Sequence, residues 1–337
     1  MAKMKVGVVG LGMMGLTHMD VYSQRDDVEL YAIADMDPDR LSGKTQAAGN
    51  VEGMAQGGID YDTLKKYSDG MDLINDPEID IIDLCLPTPL HVKFGKAALA
   101  SGKHVLMEKP LARNYAEALE LVQAGEESEG MTMPAMCMRF WPGWDWLKKT
   151  VDVGTYGKVK AAHFRRVASH PGGFYCDGQA SGGAALDLHI HDTDFIQFLF
   201  GMPKAVKSAG YSQVTDAIDH ITTIYSYDDV PLVTAEGAWC MTPGFPFTMQ
   251  YTVHFENATA VFDLAADDTL LVYEEGKDPQ PIELSPTMGY TYEIEYFLDC
   301  INSETEPDIV TLQDAANAVQ IIGAEVESII SGHKIDL

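Results

Sequence analysis

Short apolar runs alternate with amphipathic stretches over the first 140 residues. Lys5-Val6-Gly7-Val8-Val9 has the continuous apolar character of a strand buried on both faces, and a helical pattern follows it through Tyr22. Val28-Glu29-Leu30-Tyr31-Ala32-Ile33-Ala34 repeats the strand pattern, and Asp37-Pro38-Asp39 caps a helix expected to run to about Ala48. Glycines 53, 57, 58 and 70 then break the periodicity, leaving one expected helix near Tyr61–Tyr67 and no functional reading for 50–76. Order returns with a strand over Ile79–Leu86, a helix from Leu90 to Ser101 and a strand over His104–Glu108. A helix capped by Asn114 with Glu117 three residues on comes next, then a strand from Thr132 to Met138. Repeated strand-helix units of this kind predict a doubly wound parallel sheet.

After Trp146 the period changes to two. Val159–Phe164, Ala205–Tyr211, Ile221–Tyr227, Leu232–Trp239, Thr248–Phe255, Ala260–Leu264 and Leu270–Tyr273 alternate or carry β-branched and aromatic residues. They predict an open, mostly antiparallel sheet with helices on one face, its other face left for a second copy of the chain. Two apolar stripes close the sequence, Ile294/Phe297/Leu298/Ile301 and Leu312/Ala315/Val319/Ile322/Val326/Ile329, and both have core spacing. The expected class is α/β followed by α+β. The expected parts are a dinucleotide domain over 1–140, a substrate-binding and oligomerisation domain over 141–310, and a C-terminal helix over 311–337.

Composition narrows the partners. A formal net charge of -28 repels phosphate backbones and anionic lipid, which excludes nucleic acid and membrane surfaces. No stretch has the length and apolarity of a membrane span. Lys3 and Lys5 ahead of the apolar run Val6–Leu16 imitate a signal peptide, but the glycines in that run and the lack of a small-residue cleavage site favour a strand and turn. Five scattered cysteines without Cys-x-x-Cys spacing argue against disulfides and structural zinc, and suggest a reducing cytoplasm.

Candidate chemistry lies at the strand ends. Gly10-Leu11-Gly12-Met13-Met14-Gly15 is a G-x-G-x-x-G run between strand and helix, where backbone and a helix N-terminus meet a pyrophosphate. Asp35, twenty positions after Gly15, can accept ribose hydroxyls and would repel a 2′-phosphate, favouring NAD over NADP; it also begins a turn. Leu86, Pro87, Thr88 and His91 follow another strand and are candidates to flank the nicotinamide, His91 being equally a first-turn histidine bonded to backbone. Glu108-Lys109-Pro110 ends the next strand, placing an amine where a crevice opens, and Glu108 and Lys109 are read together as flanking the cofactor.

The second chemical stretch is Ser181–Asp194. On a helix Asp187 and His191 share one face, an arrangement that orients an imidazole as a proton acceptor; the competing reading makes Asp187 a cap and His191 a core residue. His189-x-His191 has the spacing of a strand ligand pair on a helix, so no metal is expected. Candidates to meet substrate are Arg139, Trp144, His170, Tyr175 and Asp177.

Taken in order, Gly10-x-Gly12-x-x-Gly15, Pro87-Thr88-Pro89-Leu90-His91, Glu108-Lys109-Pro110, Gly182-Gly183 leading to Asp187-x-x-x-His191-Asp192, and the closing Gly332-His333-Lys334-Ile335 resemble the glucose-fructose oxidoreductase, inositol dehydrogenase and MocA family. The likeness runs essentially from end to end. It implies an N-terminal Rossmann domain, NAD as cofactor, and a sugar, inositol or related polyol as substrate. It further implies that Lys109, Asp187 and His191 surround the carbon that exchanges hydride, with Lys109 and the catalytic pair also touching substrate. His191 is the expected base and Lys109 the stabiliser of the alkoxide, though which carries the proton stays open. Alternatives on the same scaffold are a redox-assisted glycoside hydrolase or eliminase that retains NAD, and a non-catalytic dinucleotide sensor. A homodimer or homotetramer through the C-terminal sheet is expected.

Overall fold

The computed structural model describes residues 3–44 and 58–337, which fall into two compact units. The first comprises Met1–Met136 with Tyr290–Ala316, the second Cys137–Gly289 with Asn317–Leu337. Division by contact thus falls four residues before the expected boundary at 140, and it returns a helical stretch from the expected 141–310 domain to the first unit.

In the first unit β1 (Met4–Val9), α1 (Met13–Ser23), β2 (Val28–Ala34), α2 (Pro38–Leu41), β3 (Lys65–Tyr67), α3 (Gly70–Ile74), β4 (Ile81–Leu84), α4 (His91–Ala100), β5 (His104–Glu108), α5 (Tyr115–Glu126) and β6 (Thr132–Ala135) follow in order. The strands form one six-stranded sheet, β3-β2-β1-β4-β5-β6, with every pair parallel. Strand order reverses between β1 and β4, so their C-terminal ends open on a topological switch point. Both sheet faces are covered, which is why Val6, Val8, Ile81, Ile82, Val105, Leu106 and Met107 are all buried.

Three local expectations are corrected. Tyr61–Tyr67 is a 3₁₀ turn, Tyr61–Thr63, followed by edge strand β3, because Lys65–Tyr67 pairs with Ala32–Ala34. The strand expected to reach Met138 stops at Ala135 and turns into a 3₁₀ segment, Cys137–Phe140. α2 ends at Leu41, and the rest of the helix expected to Ala48 lies outside the described residues. The Asn114 cap is present, its side chain accepting the Glu117 N–H at 3.0 Å.

The second unit contains α6 (Trp144–Val153), β7 (Val159–Ser169), α7 (Gly178–Ser181), α8 (Ile190–Phe200), β8 (Ala205–Tyr211), β9 (His220–Ser226), β10 (Leu232–Met241), β11 (Thr248–Phe255), β12 (Ala258–Asp263), β13 (Leu270–Glu274) and β14 (Gln280–Pro281). Helices α9 (Gly289–Ser303) and α10 (Leu312–Ser331) and the short β15 (Ile335–Asp336) complete the chain. The nine-stranded sheet, β14-β13-β12-β11-β7-β10-β9-β8-β15, is antiparallel except for the β10/β7 pair. Alternate residues of β9, Ile221, Thr223 and Tyr225, are buried while Thr222 and Ile224 are exposed, so one sheet face is core and the other open. Beneath the core face Trp144 packs against Phe164, Phe195, Tyr251 and Phe262 at ring separations of 4.8–6.2 Å.

Candidate active site

The glycine turn is built at the switch point of the first unit. Gly10, at φ 96°, leaves β1 through a conformation closed to other residues, and a Cβ there would lie 2.4 Å from the Cys85 carbonyl oxygen. At Gly15 a Cβ would fall 1.9 Å from the Gly10 carbonyl, so strand and helix approach only because both lack side chains. Gly12 differs: it precedes α1 without a capping side chain, and a Cβ on it would meet nothing within 4 Å. Open space therefore lies beside Gly12 at the N-terminus of α1, whose first N–H groups have no intrahelical acceptor, which suits a pyrophosphate.

Asp35 faces this turn. Its Oδ2 accepts the Leu11 N–H at 2.8 Å, its Oδ1 accepts the Asp37 N–H at 2.9 Å, and Arg40 Nη1 stands 3.5 Å from Oδ2. Leu11 is corrected as a cofactor contact, since its side chain is core and its N–H is committed to Asp35. His91 is corrected as well. Its ring is fully buried with Nδ1 2.8 Å from the Pro110 carbonyl and Nε2 2.7 Å from the Leu86 carbonyl, and burial lowers its pKa. It braces the ends of β4 and β5 against each other. Of its neighbours, Thr88 is buried, Leu86 half-buried and Pro87 exposed.

The two charges of Glu108-Lys109 part company, as alternation along a strand requires. The Glu108 side chain is buried, its Oε2 accepting the Lys109 N–H at 3.0 Å and its Oε1 lying 3.4 Å from His18 Nε2. Lys109 itself is half-buried. The expectation that Glu108 flanks the cofactor gives way to membership of a buried cluster: His18 Nδ1 is 2.8 Å from Asp83 Oδ2, which also accepts from the Tyr22 hydroxyl at 3.0 Å, and Cys85 Sγ lies 3.3 Å from Asp83 Oδ1. Burial opposes the His18 imidazolium, but the Asp83 carboxylate, with Cys85, outweighs it and raises the pKa well above the usual histidine value. Burial, then Asp83, pushes the Cys85 thiol up in turn. His18, Asp83 and Cys85 form the one group of metal-type donors found among the described residues, and their spacings are those of hydrogen bonds. The sequence signal for this cluster was Asp83 itself, a carboxylate inside the apolar strand Ile81-Ile82-Asp83-Leu84 that had to find partners.

The second chemical stretch belongs to the second unit. After Gly182 and Gly183, both at positive φ, Ala185–His189 is a π turn and α8 starts only at Ile190. The single α-helix expected across Asp187 and His191 is thereby corrected to a π turn leading into α8. Both residues are half-buried, and His191 Nδ1 is 3.9 Å from Cys137 Sγ. Their neighbours are fully buried and paired. Asp192 meets Arg166 through two bonds of 3.0 and 3.1 Å, and Asp194 meets Arg139 through two of 2.9 and 2.6 Å. Burial raises the Asp192 pKa against the pull of Arg166. His189 points away from His191 into the core, 3.2 Å from the Tyr225 hydroxyl.

Two proposed substrate contacts, Trp144 and Arg139, are corrected by this geometry. Trp144 is 0% exposed inside the aromatic core and has no face to offer. Arg139 is buried, spending its guanidinium on Asp194 and on the Phe198 ring 4.6 Å away. Asp177 caps α7, accepting the N–H groups of Gln179 and Ala180. His170 and Tyr175 stay together at the edge of Trp239, with ring separations of 5.6 and 5.3 Å. Trp239 in turn donates to Asp219 at 3.2 Å, and Asp219 also accepts three backbone N–H groups, from Gln213, Val214 and Thr215. Burial opposes the Asp219 charge, but those donors prevail and hold its pKa near about 2.

Comparison with known proteins agrees with this architecture. Residues 4–136 match the oxidoreductase family with an NAD-binding Rossmann fold, and residues 144–261 match the GFO/IDH/MocA C-terminal domain. A myo-inositol 2-dehydrogenase of Thermotoga maritima is 33% identical over 202 residues, 59% of this chain and 55% of that enzyme. An inositol 2-dehydrogenase of Rhodococcus jostii is 30% identical over 199 residues, 58% of this chain and 50% of that one. The matched stretch thus spans about half the length of these curated relatives. Among solved structures, a levoglucosan dehydrogenase in complex with NADH and levoglucosan superposes with a TM-score of 0.84 at 21% identity over 99% of both chains. An aldose-aldose oxidoreductase from Caulobacter crescentus gives 0.84 at 21% over 100% of both. Glycine turn, sheet order and both matched segments agree: the chain belongs to the GFO/IDH/MocA family of NAD-binding Rossmann-fold oxidoreductases.

Proposed function

We propose that the protein is an NAD-dependent dehydrogenase that oxidises a secondary alcohol of a sugar, inositol or related polyol, with Lys109, Asp187 and His191 as its catalytic group. The observation that carries this reading is the position of Lys109 at the C-terminal end of β5, the edge of a parallel sheet where ligands bind, in a family whose relatives include inositol dehydrogenases.

The nicotinamide, when bound, supplies the hydride acceptor. The chain must take the hydroxyl proton and steady the charge left on oxygen. His191 is the proposed base and Asp187 the carboxylate that favours its charged form; the Lys109 ammonium stabilises the developing alkoxide. His170, Tyr175 and Asp177 are the remaining proposed substrate contacts. Met13, Met14 and Gly15 would hold the pyrophosphate by their N–H groups, with Pro87 and Thr88 beside the nicotinamide. Asp35 favours NAD over NADP because its carboxylate repels a 2′-phosphate, although Arg40 nearby offsets part of that charge. The open face of the second unit's sheet, with Ile224 and Leu232 exposed, supports pairing of two or four copies there. The five cysteines are free thiols, which fits a reducing compartment. No helix among the described residues is long and apolar enough to cross a membrane.

The test is a panel of inositols, aldoses, uronates and deoxysugars with NAD, read as NADH absorbance. At least one should be oxidised, and Lys109→Ala should abolish that turnover while NAD still binds. Turnover that survives in the variant would remove Lys109 from the chemistry. NAD retained through purification without net NADH would favour a hydrolase or eliminase that oxidises only transiently.

A further inference from the structure

The π turn carrying Asp187 and ending at His189 is tied to a carboxylate 136 positions further along the chain from His189. Glu325, on α10, is fully buried, as are the groups around it. Its Oε1 accepts from the Thr193 hydroxyl at 3.3 Å, Thr193 Oγ1 lies 3.0 Å from the Tyr225 hydroxyl, and that hydroxyl is 3.2 Å from His189 Nε2. Glu325 Oε2 stands 3.4 Å from the same His189 nitrogen, closing a ring of four side chains from α10, α8, β9 and the π turn. The ring fits tightly against β10, where a Cβ on Gly237 would sit 2.7 Å from His189 Nδ1.

We propose that Glu325 is a positioning residue for the candidate catalytic pair, holding the π turn between Asp187 and His191 through Thr193, Tyr225 and His189 for as long as its carboxyl group keeps its proton. The catalytic part of this statement rests on the reading of Asp187 and His191 given above; the structural part does not. Among the described residues no arginine or lysine is paired with Glu325. The charged and titratable groups facing the ring are His189 on the π turn, Asp192 on α8, Tyr225 on β9 with Tyr227 just beyond it, and Arg166 on β7. Arg166 is already engaged by Asp192. Burial keeps His189 neutral, with the Arg166 charge adding to the effect, and lowers its pKa to about 3. Burial likewise raises Glu325, to about 8, so the network at neutral pH is an acid and an imidazole that are both uncharged. Ionisation of Glu325 above that pH puts an uncompensated carboxylate into the core beside Thr193 and His189.

Hydrogen exchange of the full chain from pH 6 to 9.5, corrected for intrinsic rates, tests the structural part. In the wild type, protection of amides 185–194 should fall by up to about tenfold per pH unit from pH 6 to about 8 and level off above it, and in Glu325→Gln it should stay level throughout. Level protection in the wild type, or parallel decline in both proteins, would overturn the proposal; the wild-type profile decides even if the variant does not fold. With a substrate in hand, wild-type kcat should fall as pH passes about 8 at constant KM for NAD, and the glutamine variant should keep the neutral-pH kcat and lose that limb. An identical limb in both would sink the catalytic part. If no substrate is oxidised at all, the proposed function fails while the exchange result stands.

Discussion

Replacing Gly12 by alanine separates binding from folding at the dinucleotide turn. Gly12 has φ -75° and ψ -167°, ordinary extended backbone, and its added Cβ meets nothing within 4 Å. The ligand-free protein should therefore tolerate the change to within about 0.5 kcal/mol, the usual range for a substitution without contacts. That open space is also where a pyrophosphate must lie to reach the N–H groups of α1. Losing one charge-assisted hydrogen bond costs about 1.5–3 kcal/mol, which predicts roughly 10- to 100-fold weaker NADH binding. Gly15→Ala makes the contrast: its Cβ would stand 1.9 Å from the Gly10 carbonyl, so backbone must move by at least about 1 Å. Gly10 cannot easily yield, being hydrogen-bonded to Ala34 and crowded by the Cys85 carbonyl. Overpacking of this kind costs about 1–3 kcal/mol in the ligand-free protein besides the loss of binding. Calorimetric titration with NADH, paired with urea unfolding of the ligand-free protein, measures both effects. If Gly12→Ala binds NADH as the wild type does, or is destabilised as much as Gly15→Ala, the reasoning is refuted.

Three further outcomes are expected. Asp35→Ser should lower the NAD-to-NADP affinity ratio by roughly tenfold and, because it frees the Leu11 N–H, weaken both cofactors somewhat; an unchanged ratio in competition titrations would take the carboxylate out of the selectivity argument. Arg166→Met leaves Asp192 buried and unpaired and should cost roughly 3–5 kcal/mol in urea unfolding, most of it recovered in the Arg166→Met/Asp192→Leu double variant; a single variant within about 1 kcal/mol of wild type contradicts that reading. Asp219, whose pKa falls from an unfolded value near about 3.9 to about 2, contributes stability that is present above about pH 4 and lost as pH drops towards 2. Asp219→Asn should therefore be less stable than wild type at pH 7, with the gap closing in that acid window. A gap independent of pH would mean that the charge is not what the three N–H groups recognise.

How much of this was legible along the chain depends on whether the governing interaction was local. The glycine turn was, because positive φ at Gly10 and close approach at Gly15 are properties of a strand-turn-helix a dozen residues long. Most strands of both sheets were legible to within a few residues, the short edge strands β3, β14 and β15 excepted, since burial on two faces and burial on one leave different periods in the sequence. Asp35 was placed correctly at the end of β2, yet its hold on the Leu11 N–H depends on β1 and β2 lying side by side. Trp144 and Arg139 looked like binding groups because aromatic rings and guanidinium groups often are; four aromatic partners and Asp194 took them into the core instead. Glu108 was read with Lys109 as a pair, while alternation along β5 sent the carboxylate inward to His18, ninety positions away.

The sequence alone determined the two-part order of elements, the dinucleotide turn and the family likeness, since each rests on spacing within a short segment. Only the tertiary structure decided which charges are buried and with whom. A buried Asp83, Asp192 or Glu325 must be matched by a group from another part of the chain, and periodicity records that a position faces inward without recording what waits there. The π turn is the clearest case: nothing in Ala185–His189 announces the wider turn, and the groups that surround it come from β9, α10 and the backbone of β10 at Gly237.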